Sequence, residues 1–268
     1  MTDQRASLLH NIEVAQDFYL ARLQAPQLAA NVQPGQFVEV QVSRGTTPYL
    51  RLPLSICGAD PDRGTFDLLY EDMGPKTRAL SGKEPGDQLA CLGPLGHGFV
   101  APPPGSTAVL VGGGIGIPPL LYLGRQLRSS TPVVLLAGAR TEAVHLPDAL
   151  LEPAAQQVER ATDDGSLGHH GLITDLLTRV LDGGDQNHVV YTCGPHPMMA
   201  AVAAVCRQRQ VPCQASLEEY MACGYGVCVG CVVEVEAPEG GPDSPYQRYS
   251  RVCVDGPVFD AHRVQWGM

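Results

Sequence analysis

Nine cysteines occur in 268 residues, and four of them are spaced like ligands. Cys223, Cys228 and Cys231 form a C-x4-C-x2-C run, with Cys253 a distant fourth. This is the plant-type spacing for a [2Fe–2S] cluster, whose two irons take four thiolates. Gly224, Gly226 and Gly230 let backbone N–H groups approach the sulfurs, and such hydrogen bonds help set a cluster's potential. A structural zinc site is the competing reading. Zinc usually takes two C-x2-C knuckles, and only one is present here. An odd cysteine count and an N-terminus without an apolar leader argue against a disulfide framework and lead us to expect a cytoplasmic protein. Cys57, Cys91, Cys206 and Cys213 have no ligand spacing and read as small buried residues.

A second group of residues suits nucleotide phosphates. Gly112-Gly113-Gly114-Ile115-Gly116 lies between an apolar run and Pro118-Pro119, which open a helix. Gly113, Gly114 and Gly116 would permit a tight turn and close approach of a pyrophosphate at the helix start. The pattern is not a strict G-x-G-x-x-G, so an ordinary strand-to-helix turn stays open. Cys193-Gly194-Pro195 forms a second such junction. Two junctions side by side define a ligand crevice at the carboxyl edge of a parallel sheet. Thr162-Asp163-Asp164-Gly165-Ser166 is a third candidate. Its carboxylates suit ribose hydroxyls and repel a 2′-phosphate, which predicts a preference for NADH over NADPH; a polar turn is the plain alternative.

The elements that position these residues follow from pattern. The first hundred residues alternate short apolar runs, such as 36–42 and 65–70, with Gly/Pro turns, which reads as half-buried strands of a small β-barrel. From Thr107 strands alternate with helices, the rhythm of a parallel α/β sheet. The predicted division is 1–102, 103–213 and 214–268, the last too short for a large core and stapled by its cysteines. With 30 Gly, 23 Pro and 17% charged residues, the chain is turn-rich and globular. A net charge of −10 argues against nucleic acid or an anionic membrane surface as partner. The uncharged stretch 98–124 is too rich in Pro and Gly for a spanning helix. No acid–base dyad or activated nucleophile is evident, so no catalytic residue is assigned. His97, His145, His169, His170 and His196 read as loop or surface residues.

Several motifs carry a family resemblance over nearly the whole chain: Arg51-Leu52-Pro53-Leu54-Ser55, the YEDMGPKT run from Tyr70 to Thr77, Gly93-Pro94-Leu95-Gly96, GGGIGIPPL, TDDGS, YTCGPHPMM, SLEEYMACGYGVCVGC and VCVDGPVF. The sequence resembles the ferredoxin–NADP reductase superfamily, and more closely the electron transfer subunits of type B dihydroorotate dehydrogenases. The resemblance implies an FAD-binding β-barrel, a central NAD(H)-binding α/β domain and a small C-terminal [2Fe–2S] segment. It implies that Arg51, Leu52, Pro53, Leu54 and Ser55 lie along FAD, with Leu69, Tyr70, Glu71, Gly74, Lys76 and Thr77 also on the flavin nucleotide. Gly113, Gly114, Gly116, Cys193, Gly194 and Pro195 would form the NAD(H) site, with Cys193 near the nicotinamide. Cys223, Cys228, Cys231 and Cys253 would hold the cluster. One departure stands out: the family arginine before the proline is Leu52 here. Neighbours in a strand point to opposite faces, so Arg51 does not substitute directly, and Lys76 is the other candidate for the pyrophosphate.

The implied partner is an FMN-containing catalytic subunit oxidising dihydroorotate to orotate in pyrimidine (UMP) biosynthesis, in a heterotetramer of two plus two. Electrons would pass from that FMN through the cluster and FAD to NAD+. FAD suits the middle place because it handles both one and two electrons. A reductase for another partner, such as a hydrogenase or a ferredoxin–NADP transhydrogenase, is the alternative.

Overall fold

The computed structural model describes residues 1–43, 45, 47–183, 187–237 and 245–267. Strands β1 (Thr2–Ala15), β2 (Phe18–Gln24), β3 (Phe37–Gln41), β4 (Leu52–Asp60), β5 (Thr65–Glu71) and β6 (Gln88–Leu95) close an antiparallel barrel in the order β1-β2-β5-β4-β3-β6. Short helices α1 (Pro26–Ala29) and α2 (Pro75–Ser81) cap its connections. Closure leaves no open edge. Side chains alternate as the pleat requires: Val38, Val40, Leu54, Phe66, Leu68 and Tyr70 fill the interior.

The outward faces correct the sequence reading. Strands β3 and β5, expected to be half-buried, are buried on both sides. Leu69 leaves the barrel and joins the core that holds Leu110 and Leu120 of the next domain, and Phe37 packs in a different core with Cys231 and Val252. Alternation along one strand does not reveal that a neighbouring domain covers its outer face.

The second unit is a seven-stranded sheet. It contains β7 (Thr107–Gly113), β8 (Val133–Ala139), β9 (Gln157–Thr162), β10 (His169–His170), β11 (His188–Cys193) and β12 (Cys213–Ser216). Helices α3 (Ile117–Leu127), α4 (Asp148–Leu151), α5 (Ile173–Asp182) and α6 (His196–Gln208) connect them. The order is β10-β9-β8-β7-β11-β12 and then a C-terminal strand, parallel except for that last strand. Every residue of β7 is buried, because both faces are covered. Ala108 and Leu110 join α3 on one face, while Val109 and Val111 join α5 and α6 on the other.

The C-terminal segment is threaded into this sheet. It contains the hairpin β13 (Val232–Glu234) and β14 (Tyr249–Arg251), one turn of helix α7 (Val252–Asp255), and β15 (Val258–Asp260). Strand β15 pairs antiparallel with β12 and forms the sheet's edge. Residues 238–244 and 268 of the expected third segment lie outside the described residues. No helix among the described residues is long and apolar enough to cross a membrane.

Candidate cofactor sites

The strand order reverses between β7 and β11, and both strands end in glycine junctions. Such a switch point opens a crevice at the carboxyl edge of the sheet. The junctions touch: a side chain on Gly116 would overlap the backbone of Gly194, and one on Gly194 would meet Gly113 O at 2.9 Å. Gly194 also takes φ +149, which L side chains rarely adopt. Gly114, by contrast, faces open space. The cavity here measures about 730 Å³. One wall is Gly113, Gly114, Gly194 and Pro195, and the other is the barrel's Phe18, Glu71 and Met73. That is room for a dinucleotide between the two units, and the glycine cradle fits the NAD(H) reading.

Asp163 and Arg140 line the same cavity. Asp164 is not among the lining residues, and its Oδ1 accepts from Ser166, at 3.0 Å from the amide and 2.6 Å from the hydroxyl. Cys193 is fully buried, with Sγ 3.9 Å from Glu218 Oε1. Glu218 lines the crevice, so the carboxylate stands in front of the thiol. Reading motifs alone passed over Glu218, although it lies in the quoted SLEEYMAC run.

The cysteine loop brings its four members together in two pairs. Cys228 N–H donates to Cys223 Sγ at 3.5 Å, and Cys253 N–H donates to Cys231 Sγ at 3.4 Å. The second pair is set by the hairpin. Val232 lies opposite Arg251, and Val252 N–H donates to Cys231 O at 2.9 Å. The first pair depends on a curled loop, with positive φ at Gly224, Gly226 and Val229. A β-branched residue in that region is strained, which suits a loop shaped by what it binds.

Burial opposes ionisation of Cys223, but the amides of Cys228, Tyr225 and Val227 and the Cys228 thiol outweigh it and bring Cys223 down to about 6. Burial and the facing Cys231 push Cys253 up to about 12. Facing thiols of this kind are relieved by a cation between them. Among the described residues no three His, Cys, Asp or Glu side chains converge as a single-ion site. Two pairs match a binuclear cluster, with two thiolates for each iron.

The flavin-side residues divide by strand face. Leu52 and Leu54 point into the barrel core, and Pro53 and Ser55 point outward, half-buried. Tyr70 lies inside the barrel with its hydroxyl donating to Asn11 Oδ1 at 2.8 Å, and Leu69 sits in the seam between domains. Thr77 accepts from the amides of Met73 and Gly74 at 3.0 and 2.9 Å and so shapes the turn before α2. Arg51 is engaged by Asp3 at 2.7 and 3.0 Å. Lys76 Nζ, half-buried, donates to Arg51 O at 2.8 Å. Outward Pro53 and Ser55 with Lys76 nearby leave a polar strip on the barrel that fits a flavin nucleotide.

Among the histidines, His145 lies in a loop, as read, but not at the surface. It is buried, with Nδ1 3.0 Å from Leu146 O and Nε2 3.2 Å from Ala137 O, and it ties its loop to β8. Glu39 is a further residue that sequence reasoning missed. An isolated charge in an alternating strand reads as solvent-facing, yet Glu39 is fully buried against the cysteine loop.

Comparison with known proteins agrees with this layout. Residues 218–265 match the iron–sulfur cluster binding domain of dihydroorotate dehydrogenase B, and residues 110–204 match the oxidoreductase NAD-binding domain. A dihydroorotate dehydrogenase B (NAD(+)) electron transfer subunit from Geobacillus thermodenitrificans is 40% identical over 264 residues, 97% of this chain and 98% of that one. Its counterpart from Bacillus caldolyticus is 43% identical over 236 residues, 87% of this chain and 86% of that one. Among solved structures, a chain of an NADH-dependent reduced ferredoxin–NADP oxidoreductase, described in terms of flavin-based electron bifurcation, superposes with a TM-score of 0.85 at 27% identity. That match covers 97% of this chain and 90% of that one. Identities of 40% and 43% across most of both chains, with the matching iron–sulfur domain, show that the chain belongs to the family of dihydroorotate dehydrogenase B (NAD+) electron transfer subunits.

Proposed function

We propose that the chain carries electrons between NAD(H) and an FMN-containing catalytic subunit that oxidises dihydroorotate to orotate in cytoplasmic pyrimidine synthesis, in an assembly of two plus two. One observation carries this reading. The barrel is a shared wall: Phe18, Glu71 and Met73 border the nucleotide crevice, while β3 of the same barrel meets the cysteine loop at Gly224. A flavin held by that barrel would therefore have a nicotinamide site on one side and an iron–sulfur site on the other. When bound, FAD supplies the exchange of two electrons with NAD(H) and of single electrons with a [2Fe–2S] cluster.

The chain's own residues have binding and orienting roles. Gly113, Gly114, Gly116, Gly194 and Pro195 would cradle the dinucleotide, and Asp163 would accept from a ribose hydroxyl. Pro53, Ser55 and Lys76 would hold the flavin nucleotide, with Thr77 fixing the turn that presents Lys76. Cys223, Cys228, Cys231 and Cys253 would hold the cluster. Tyr220, Tyr225, Val227 and Val229, all exposed on or beside the cysteine loop, are an apolar surface suited to a stable partner.

The test is reconstitution. Alone, the chain should reduce dyes or ferricyanide with NADH and leave dihydroorotate untouched. Addition of the FMN-containing partner should restore NAD+-linked dihydroorotate oxidation. Turnover of dihydroorotate by the isolated chain would overturn the assignment. A failed rescue despite full flavin and iron content would point instead to a reductase for another redox partner.

A further inference from the structure

Between the barrel and the cysteine loop lies a buried carboxylate. Glu39 stands opposite Pro53 of β4 and Leu92 of β6. Its neighbours Val38 and Val40 enter the barrel core, so Glu39 projects outward. Even so, its relative exposure is 0%, and among the described residues neither carboxylate oxygen has a hydrogen-bond partner.

The cysteine loop covers it. A Cβ built on Gly224 would lie 2.6 Å from Glu39 Cγ and 2.7 Å from Oε1, and Gly224 has φ +76. Glycine is thus required at 224 twice over: for its backbone conformation, and because Glu39 fills the space a side chain would need.

Burial pushes Glu39 up to about 7, opposed by the nearby charges of Lys76 and Arg51 and reinforced by Cys223. Neither cation bonds to its carboxylate: Lys76 donates to Arg51 O, and Arg51 donates to Asp3 and, at 3.5 Å, to the Glu39 backbone carbonyl. An unpaired buried carboxylate is unfavourable for folding, and an amide or apolar side chain of similar volume would cost less. Stability therefore does not account for it, whereas proximity to both cofactor supports does.

Resting on the reading that the four cysteines hold a [2Fe–2S] cluster, we propose that Glu39 is a positioning residue joining the flavin barrel to the iron–sulfur loop. It seats Gly224 against β3 and, when ionised, places a negative charge on the Cys223 side of the cluster. That charge disfavours the more negative, reduced cluster and so lowers its potential.

The experiment uses the full chain loaded with FAD and cluster. Iron, sulfide and flavin are counted first; a wild-type chain lacking iron and sulfide would sink the cluster reading itself, before any variant is compared. Glu39→Gln keeps the shape and removes the charge. In alkaline buffer its iron and flavin content should match wild type, while the reduced-to-oxidised ratio at a fixed potential rises about tenfold, or ~59 mV for a one-electron couple in an EPR-monitored titration. Gly224→Ala should lower iron retention, and less so when Glu39→Ala has already vacated the space, a non-additive pair. An unchanged midpoint in fully loaded Glu39→Gln, or strictly additive effects of Gly224→Ala and Glu39→Ala, would overturn the proposal.

Discussion

Replacing Lys76 by alanine should release FAD, and replacing Arg51 should not. The two cations are close in the structure but differently committed. Arg51 is held by Asp3 in a two-point ion pair whose side chains are 26% and 52% exposed. Such a pair contributes about 0–1 kcal/mol, a cost that Arg51 would carry on turning to a phosphate and Lys76 would not, so Arg51→Ala should weaken FAD binding less than Lys76→Ala. Among the described residues Lys76 has no carboxylate in ion-pair contact; its Nζ donates to the Arg51 carbonyl at 2.8 Å. From there it can turn to a phosphate without breaking an ion pair. A charge-assisted hydrogen bond to phosphate contributes about 1.5–3 kcal/mol. At about 1.4 kcal/mol per decade, Lys76→Ala should weaken FAD binding by ten- to one-hundred-fold. Fluorescence of released flavin during stepwise dilution reports both constants. The reasoning is refuted if Arg51→Ala releases flavin more readily than Lys76→Ala, because Arg51 would then have left Asp3 to take the place of the family arginine.

Three further expectations follow from the sites. Serine at any of Cys223, Cys228, Cys231 or Cys253 should abolish the EPR signal of the reduced cluster, while serine at buried Cys206 or Cys213 should leave it; a normal signal from Cys253→Ser would remove that residue from the ligand set. NADH should be preferred over NADPH in dye reduction, and Asp163→Ser should narrow the preference by about tenfold, the value of one hydrogen bond to a charged group; equal turnover of the two nucleotides by wild type would reverse this. Gly116→Ala forces a methyl into the Gly194 backbone and should lower stability by about 1–3 kcal/mol in urea melts while sharply raising the NADH concentration needed for half-saturation; an unaffected NADH titration would mean the junctions do not form the nucleotide cradle.

The parts of the molecule that were legible in the sequence share a physical trait. Thiolate spacing around two irons and a strand-glycine-helix turn are local constraints, so a short window contains them. The barrel and the parallel sheet follow from periodicity in the same way. What escaped depends on distant partners. Glu39 is buried by a loop nearly two hundred residues away, and Leu69 is covered by α3 of another unit. His145 differs: its partners Leu146 O and Ala137 O are only one and eight residues away, but an irregular loop has no periodicity to show that its ring turns inward. Strand β15 is only three residues long, too short for periodicity to declare, and it exists because β12 offers an unpaired edge.

That last strand has a consequence for how the protein is made. The cysteine loop lies between β12 and β15, and Cys253 precedes β15 by only a few residues. The nucleotide sheet therefore takes its edge strand from beyond the cysteine loop and stays one strand short until that loop has been made. The hairpin that sets Cys253 beside Cys231 leads directly into α7 and β15, so ordering of the cysteine pair and closing of the sheet edge belong to one stretch of chain. If those cysteines hold the cluster, a chain without it should have a looser edge at β15, read as faster amide exchange along β12 and β15.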